Sequence, residues 1–380
     1  MTVESKGFLT TSIERDISTG EMVLNIGPQH PSTHGVLRVV ARLDGERVVD
    51  AEPVIGYMHR AFEKLAEFRS PMQNTALFNR LDWISGFCNE VPYCIACEQL
   101  AEIEVPERAK VQRVILFELN RIASHSLFCG VFGLELGALT APMYGYRDRE
   151  YALDLMEMVT GQRMHTNWCR IGGVKDDFPK GFYESIPPLL EYYRTRVDQW
   201  LDFLIGNDVF LERTRGIGVL PGDVALDYGV SGPNLRASGV STDARKEEDY
   251  LGYGDYTFDV PVGETGDCFD RYIQRVREIW ESCNIVEQAL EGLPAGTVNT
   301  GTGRTFKVPA GEVYVRADGP RGETGYYLIS LGDKEPYRLK IRTGSFANVA
   351  TLSYLLKDAY VPDIVAILGS LDFVVGDIDR

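Results

Sequence analysis

The sequence predicts an α+β fold with a central helical bundle and β segments at its N-terminal and C-terminal ends. Three observations carry this. Strand-like runs cluster at both ends, and the apolar residues between them recur with helical spacing. No internal repeat, low-complexity tract or Pro/Ser-rich linker interrupts the 380 residues. The simplest organisation is one unit spanning 1–380: β-rich over 20–56, helical over 60–205, loops and a long helix over 206–292, and β/α over 309–380.

The N-terminal strands are read from "MVLNI", "VLRVVARL" and "RVVDAEPVI", separated by turn signals at Gly27-Pro28 and "LDGER". From Arg60 to about Ile205 helix dominates. Glu107 to Phe132 is apolar on nearly every face, as a helix inside a bundle must be. Ile186, Leu190, Tyr193, Val197, Trp200, Leu201 and Leu204 follow a 3.6-residue period. A second amphipathic helix starts after Asp267, a candidate N-cap, and runs through Phe269, Tyr272, Val276, Ile279 and Cys283 to a stop at Gly292. Between these two helices, Thr214 to Thr257 reads as long ordered loops. "EVYVRA", "GYYLISL" and "YRLKIRT" are strands, followed by two short helices and the tail "GSLDFVVGDIDR".

Composition narrows the function. A net charge of −16 offers no basic stripe to phosphates or to an anionic lipid face, which argues against nucleic acid and against polybasic membrane docking. "MTVESKGFLTTSIERD" has no apolar core of a secretory leader. Ile122 to Tyr146, the longest stretch poor in charge, is broken by Ser, Gly and Pro and is not a membrane span, so membrane association is expected through other subunits. Seven cysteines at irregular spacing suggest a reduced chain. Cys94 and Cys97 lack a second pair at zinc spacing and read as small thiols of a core helix.

The glycine-rich stretches do not make nucleotide sites. "GIGVLPG" is off the dinucleotide spacing and follows no strand, while "NTGTGR" lacks the Walker lysine and its helix. No GxSxG occurs, and Ser32 has no evident oxyanion donor. The five histidines are more informative. His125 reads as a satisfied core residue. His59 precedes Arg60, Glu63 and Lys64, which could form an ion-pair ladder on a helix face. His165 lies among polar residues before a Gly pair, a loop setting that favours function. His30 and His34 stand in "NIGPQHPSTHG", where Gly and Pro fix a tight excursion between two strands. Two imidazoles held there can exchange a proton near neutral pH, or else serve as hydrogen-bonded turn residues.

At this point a resemblance becomes specific. "NIGPQHPSTHGVLR", "IGYMHRAFEKLAE", "NRLDW", "ELGALTAP", "GQRMHTNWCRIGGV", "RTRGIGVL", "SGPNLRASGV", "FDVPVGETGDCFDRY", "KIRTGSFANV" and "GSLDFVVGDIDR" fall in order over nearly the whole chain. Together they resemble the large hydrogenase-like D subunit, the quinone-site subunit, of the proton-pumping NADH:quinone oxidoreductases, respiratory complex I. The resemblance implies a fold like the large subunit of nickel–iron hydrogenases. Where those enzymes use RxCGxC and a C-terminal DPCxxC, this chain has Arg80, Asp82 and Ser85 and the tail "GDIDR". These are not thiolates, so no nickel is expected.

The resemblance further implies that His34 hydrogen-bonds one carbonyl of a quinone substrate, with His30 beside it. Glu135, in "ELGA", stands where the family usually has an aspartate and would orient His34. Arg60 and His165 are expected beside a [4Fe-4S] cluster held by the neighbouring iron–sulfur B subunit, whose potential they would raise. Trp83 replaces the tyrosine that usually meets the second quinone carbonyl. Indole can stack and donate its N–H but cannot give up a proton, so a different quinone or an acceptor such as methanophenazine is an alternative. The partners implied are the B and C subunits of the peripheral arm and the H subunit of the membrane arm, at the cytoplasmic face of a prokaryotic plasma membrane. Ala295 to Pro309 is short beside many relatives, which carry an amphipathic helix there. Two other readings stand beside this one: the equivalent subunit of a complex fed by a deazaflavin or ferredoxin, and a scaffold without redox function.

Overall fold

The structure is a computed structural model that describes residues 11–15, 22–303 and 305–380. Most of the N-terminal segment read above as lacking a leader, and Arg304 of "NTGTGR", lie outside them. A four-stranded antiparallel sheet opens the chain, in the order β1 (Thr11–Arg15), β2 (Met22–Ile26), β3 (Arg38–Asp44) and β4 (Arg47–Val54). β3 alternates inward Val39, Ala41 and Leu43 with outward residues, the period-2 pattern of a half-buried strand.

The helices follow: α1 (Phe62–Ala66), α2 (Pro71–Phe78), α3 (Gly86–Leu100), α4 (Glu107–Glu135) and α5 (Ala141–Thr160). Next come a two-residue hairpin, β5 (Cys169–Arg170) with β6 (Gly173–Val174), and α6 (Phe182–Trp200), which runs on as a π-turn through Ile205. α4 is the axis, buried continuously from Gln112 to Gly130 and packed against α5 and α11 (Cys268–Glu291). By length and composition α4 could cross a membrane, yet 94% of its apolar window is buried inside the fold. α11 has the expected start: the Asp267 carboxylate accepts from the Asp270 N–H at 2.8 Å, and Gly292 follows the last turn.

Some expectations require correction. The Thr214–Thr257 zone contains helical turns: α7 (Asp208–Glu212) leads into α8 (Gly222–Asp227), α9 (Pro233–Ala237) and α10 (Ala244–Glu247). Each is too short to show a period. After the three-stranded sheet β7 (Gly311–Gly319), β8 (Gly322–Ser330) and β9 (Arg338–Arg342) come four short helices, not two: α12 (Gly344–Ala350), α13 (Leu352–Leu355), α14 (Asp363–Ser370) and α15 (Val375–Asp379). The ion-pair ladder at Arg60 does not form, because helix begins only at Phe62. Glu63 instead pairs across to Arg338 and Lys340 of β9.

The core contains charge as well as hydrocarbon. Glu118 of α4 bonds Arg121 at 3.0 Å, Ser282 at 2.6 Å and Tyr253 at 2.7 Å. Arg236 reaches Glu278 of α11 at 2.7 Å and Asp318 of β7 at 3.2 Å. His125 joins through Nε2 to Glu278 at 2.9 Å, while its Nδ1 has no hydrogen-bond partner among the described residues. Such a network ties α4, α11 and β7 in one register, since any buried charge left alone would be costly. All seven cysteines are buried, Cys94 and Cys97 along α3.

Candidate functional site

Between β2 and β3 the chain makes the excursion that the Gly and Pro residues demand. Pro31–Thr33 form one 3-10 turn, capped by His30, whose Nδ1 accepts from the Ser32 N–H at 3.2 Å. Thr33 Oγ1 lies 2.7 Å from the carbonyl oxygen of His30 and 2.8 Å from that of Gly35. His34 ends the turn at φ 50, left-handed for a non-glycine residue, and is held there by this network. A Cβ on Gly35 would lie 2.9 Å from Val375 Cγ2, so the turn packs against α15 with no room for a side chain. His30 thus serves the turn, and the structure does not place it in the cavity that His34 lines.

His34 Nε2 is bonded to Glu135 Oε1, on the last residue of α4. Glu135 fits because Gly369 of α14 has no side chain: a Cβ there would coincide with the Glu135 carboxylate. Burial disfavours the charged imidazole, but the bond and charge of Glu135 outweigh it and hold His34 protonated above its ordinary range. Burial likewise pushes the Glu135 carboxyl up, against the opposing pull of His34. The pair therefore keeps a proton over a wider pH range than either group alone. With Nε2 committed to Glu135, Nδ1 is the ring position left for a ligand.

His34 and Trp83, 49 residues apart in sequence, line one cavity of about 250 Å³. Phe128 and Val131 of α4 and Phe373 of the α14–α15 link complete an apolar wall, and Phe373 lies 5.6 Å from the imidazole centroid. The volume is below the roughly 300–1,000 Å³ of pockets that enclose drug-sized ligands, and suits one ring. Asp372 at its rim is bound to Arg275 at 3.3 Å and Arg321 at 3.5 Å. Burial opposes its charge, but the two guanidinium groups hold the carboxyl below its usual range. Trp83 also borders a shallow cleft on its other side, shared with Arg149, Arg163 and His165. The Arg149 guanidinium lies 5.7 Å from the centre of the indole, with Nε and Nη2 buried and without a hydrogen-bond partner among the described residues.

Arg60 and His165 meet at one turn after α2. Arg60 Nη1 donates to the Arg80 carbonyl at 3.4 Å, and His165 Nδ1 lies 3.2 Å from the Asn79 carbonyl oxygen. The site is thus a small apolar ring pocket with a proton-holding imidazole on one wall and an indole on the other. Behind the indole is a polar face bearing a cation and a second imidazole. Gly369, Phe128, Val131, Phe373 and Arg149 were not singled out from sequence. Apolar residues inside a helix that is buried on nearly every face give no sign of which one borders a void. Only "GSLDFVV", with Gly369 and Phe373, stood within a quoted motif.

Such an arrangement is a small, mostly apolar cavity whose lining carries a titratable imidazole and an indole, the kind of concave site that small molecules occupy. The sequence model of the respiratory-chain NADH dehydrogenase 49 Kd subunit matches residues 135–305 and 301–380. NADH-quinone oxidoreductase subunit 4 of Thermus thermophilus is 46% identical over 391 residues, covering 96% of each chain. The NADH-quinone oxidoreductase D subunit of Clostridium beijerinckii is 46% identical, covering 97% of this chain and 99% of its own. That of Carboxydothermus hydrogenoformans is also 46% identical, covering 96% and 100%. The chain belongs to the family of NADH-quinone oxidoreductase D subunits, and is a subunit of an oxidoreductase complex.

Proposed function

We propose that this chain forms the quinone-reducing site of a membrane-associated, proton-translocating NADH:quinone oxidoreductase. The observation that carries the reading is the single cavity joining His34, already paired to Glu135, with Trp83. Doubly protonated His34 donates Nε2–H to Glu135 and Nδ1–H to a quinone carbonyl. As two electrons arrive, that oxygen takes the His34 proton and the pair is recharged from solvent; the other oxygen takes the second proton from solvent water, because indole cannot supply one. Trp83 stacks on the ring or donates its N–H. It is also the feature that favours a second reading, in which the acceptor is a different quinone or a methanophenazine-like ring.

A [4Fe-4S] cluster in the adjacent B subunit would supply electrons one at a time. The residues here fit that role: Arg60 and His165 converge on one turn, and the cysteines of this chain are buried, so the cluster's thiolates belong to the partner. The positive charge of Arg60 favours the reduced cluster. The hydrogenase-like ancestry is consistent with Asp82 and Ser85. They bond each other and hold Arg321, with Nη1 2.6 Å from Asp82, so a guanidinium takes the place that a metal cation would need. The C subunit and the membrane-arm H subunit complete the assembly at the cytoplasmic face, where the charge change at His34–Glu135 is passed to the pump. NADH is the donor proposed, with reduced ferredoxin or a deazaflavin as the alternative.

The test is His34→Ala in the assembled complex. Quinone reduction should fall at least tenfold while NADH oxidation by a soluble artificial acceptor persists, and each donor is tried in turn. Full quinone reductase activity in a normally assembled variant would overturn the reading and favour a scaffold.

A further inference from the structure

Glu90 of α3 is a fully buried carboxyl group with no cation bonded to it among the described residues. One of its oxygens, Oε2, accepts from the Trp168 and Cys169 backbone N–H groups, each at 3.1 Å. The other, Oε1, accepts from the Asn79 side-chain N–H. Asn79 is itself wholly buried, and its Oδ1 lies 3.1 Å from His165 Nδ1. The segment that wraps Glu90 is strained: His165 and Asn167 adopt φ 56 and 39, left-handed values that side chains rarely take. Two such residues in three mark a backbone bent to a purpose.

We propose that Glu90 is a positioning residue for His165, acting through the Asn79 amide; this rests on the reading that His165 faces the partner's cluster. The hydrogen bonds have one polarity. Three N–H groups, of Trp168, Cys169 and the Asn79 amide, are directed at the Glu90 oxygens, so Asn79 turns its NH₂ toward Glu90 and its C=O toward His165. His165 Nδ1 then faces two oxygens, the side-chain and main-chain carbonyls of Asn79, and carries the hydrogen. Nε2 is the ring position left to face the cluster. Glu90 is poised to change charge, since burial pushes its carboxyl up to about 8 against the pull of the Cys169 N–H and Arg170. The groups that face the chain are Arg170 from its own loop and the Tyr326 hydroxyl from β8, with Arg149 and Arg163 in the cleft beside His165.

Replacing Glu90 by Gln breaks the polarity at one atom. The two backbone N–H groups claim the Gln carbonyl, so its NH₂ confronts the NH₂ of Asn79. Turning the Asn79 amide relieves that clash and sets its NH₂ against His165 Nδ1–H. Either way the imidazole loses its fixed tautomer.

The experiment is redox titration of the partner's cluster in the assembled complex at a series of pH values. For Glu90→Gln, the pH at which the midpoint potential begins to change should move by about one unit, the scale of one altered hydrogen bond to the imidazole. His165→Gln should abolish the pH dependence. If His165→Gln abolishes it and Glu90→Gln leaves the break where it was, the role of Glu90 is refuted and the placement of His165 stands. If His165→Gln changes nothing, the placement itself fails. Should Glu90→Gln not assemble, Asn79→Ser cuts the link while leaving the backbone cradle. It should move the break likewise, and an unmoved break overturns the proposal.

Discussion

Glu135→Gln isolates the electrostatic work of the pair from its packing. The replacement keeps the volume beside Gly369 and an acceptor for His34 Nε2–H, but removes the charge. In the native chain that charge overcomes the burial that disfavours imidazolium. A charge-assisted hydrogen bond is stronger than a neutral one by about 1–2 kcal/mol. At about 1.4 kcal/mol per pH unit, the alkaline limit of quinone reduction should shift acidward by about one unit. The sign follows from the active form. With Nε2–H given to residue 135, His34 must be protonated to donate from Nδ1 as well, and with Gln the burial is opposed only by Asp372 and a neutral hydrogen bond. Rates on the alkaline side of that limit should fall roughly tenfold and recover as the pH is lowered. The assay is kcat against pH with saturating quinone, alongside an artificial-acceptor control for assembly. An alkaline limit that stays in place, with activity lowered equally at every pH, would refute the role of Glu135 in holding the proton.

Gly369→Ala places a methyl on the Glu135 carboxylate and should cost about 1–3 kcal/mol in thermal unfolding of the complex while also lowering quinone reduction. An unchanged melting temperature would show that the carboxylate has another resting place. Trp83→Tyr should change KM or acceptor preference about tenfold, near 1.4 kcal/mol, and an unchanged inhibitor profile would remove Trp83 from the ring site. Arg236→Met leaves Glu278 and Asp318 with one cation fewer and should destabilise the fold by about 3–5 kcal/mol, read as loss of the assembled subunit; assembly at full yield would contradict that.

The limits of sequence reading follow from the physics of each element. α11 was legible because a cap, a stop and a sustained period agree on one helix. β3 was legible because Val and Leu alternate. The β5–β6 hairpin, two residues a side, and the helical turns after Phe210 are shorter than any period that could reveal them. The strand Thr11–Arg15 has a single apolar residue, Ile13. In the site, His34, Glu135, Trp83, Arg60 and His165 were named through motif likeness, whereas Glu90 and Arg149 lie on helices where a charged residue ordinarily faces water. What distinguishes them is burial without a bonded counter-ion among the described residues, a property of the folded chain alone.

The buried cysteines have a practical consequence. Thiolate, not thiol, is alkylated or oxidised, and burial pushes the thiols of Cys97 and Cys283 up to about 12. The chain therefore presents no ready thiol to alkylating agents or peroxide. For the experimenter, a cysteine introduced at an exposed position such as Met143 would outcompete the native seven for a maleimide or nitroxide label. Distances from such a probe could then be followed through turnover in an otherwise unaltered chain.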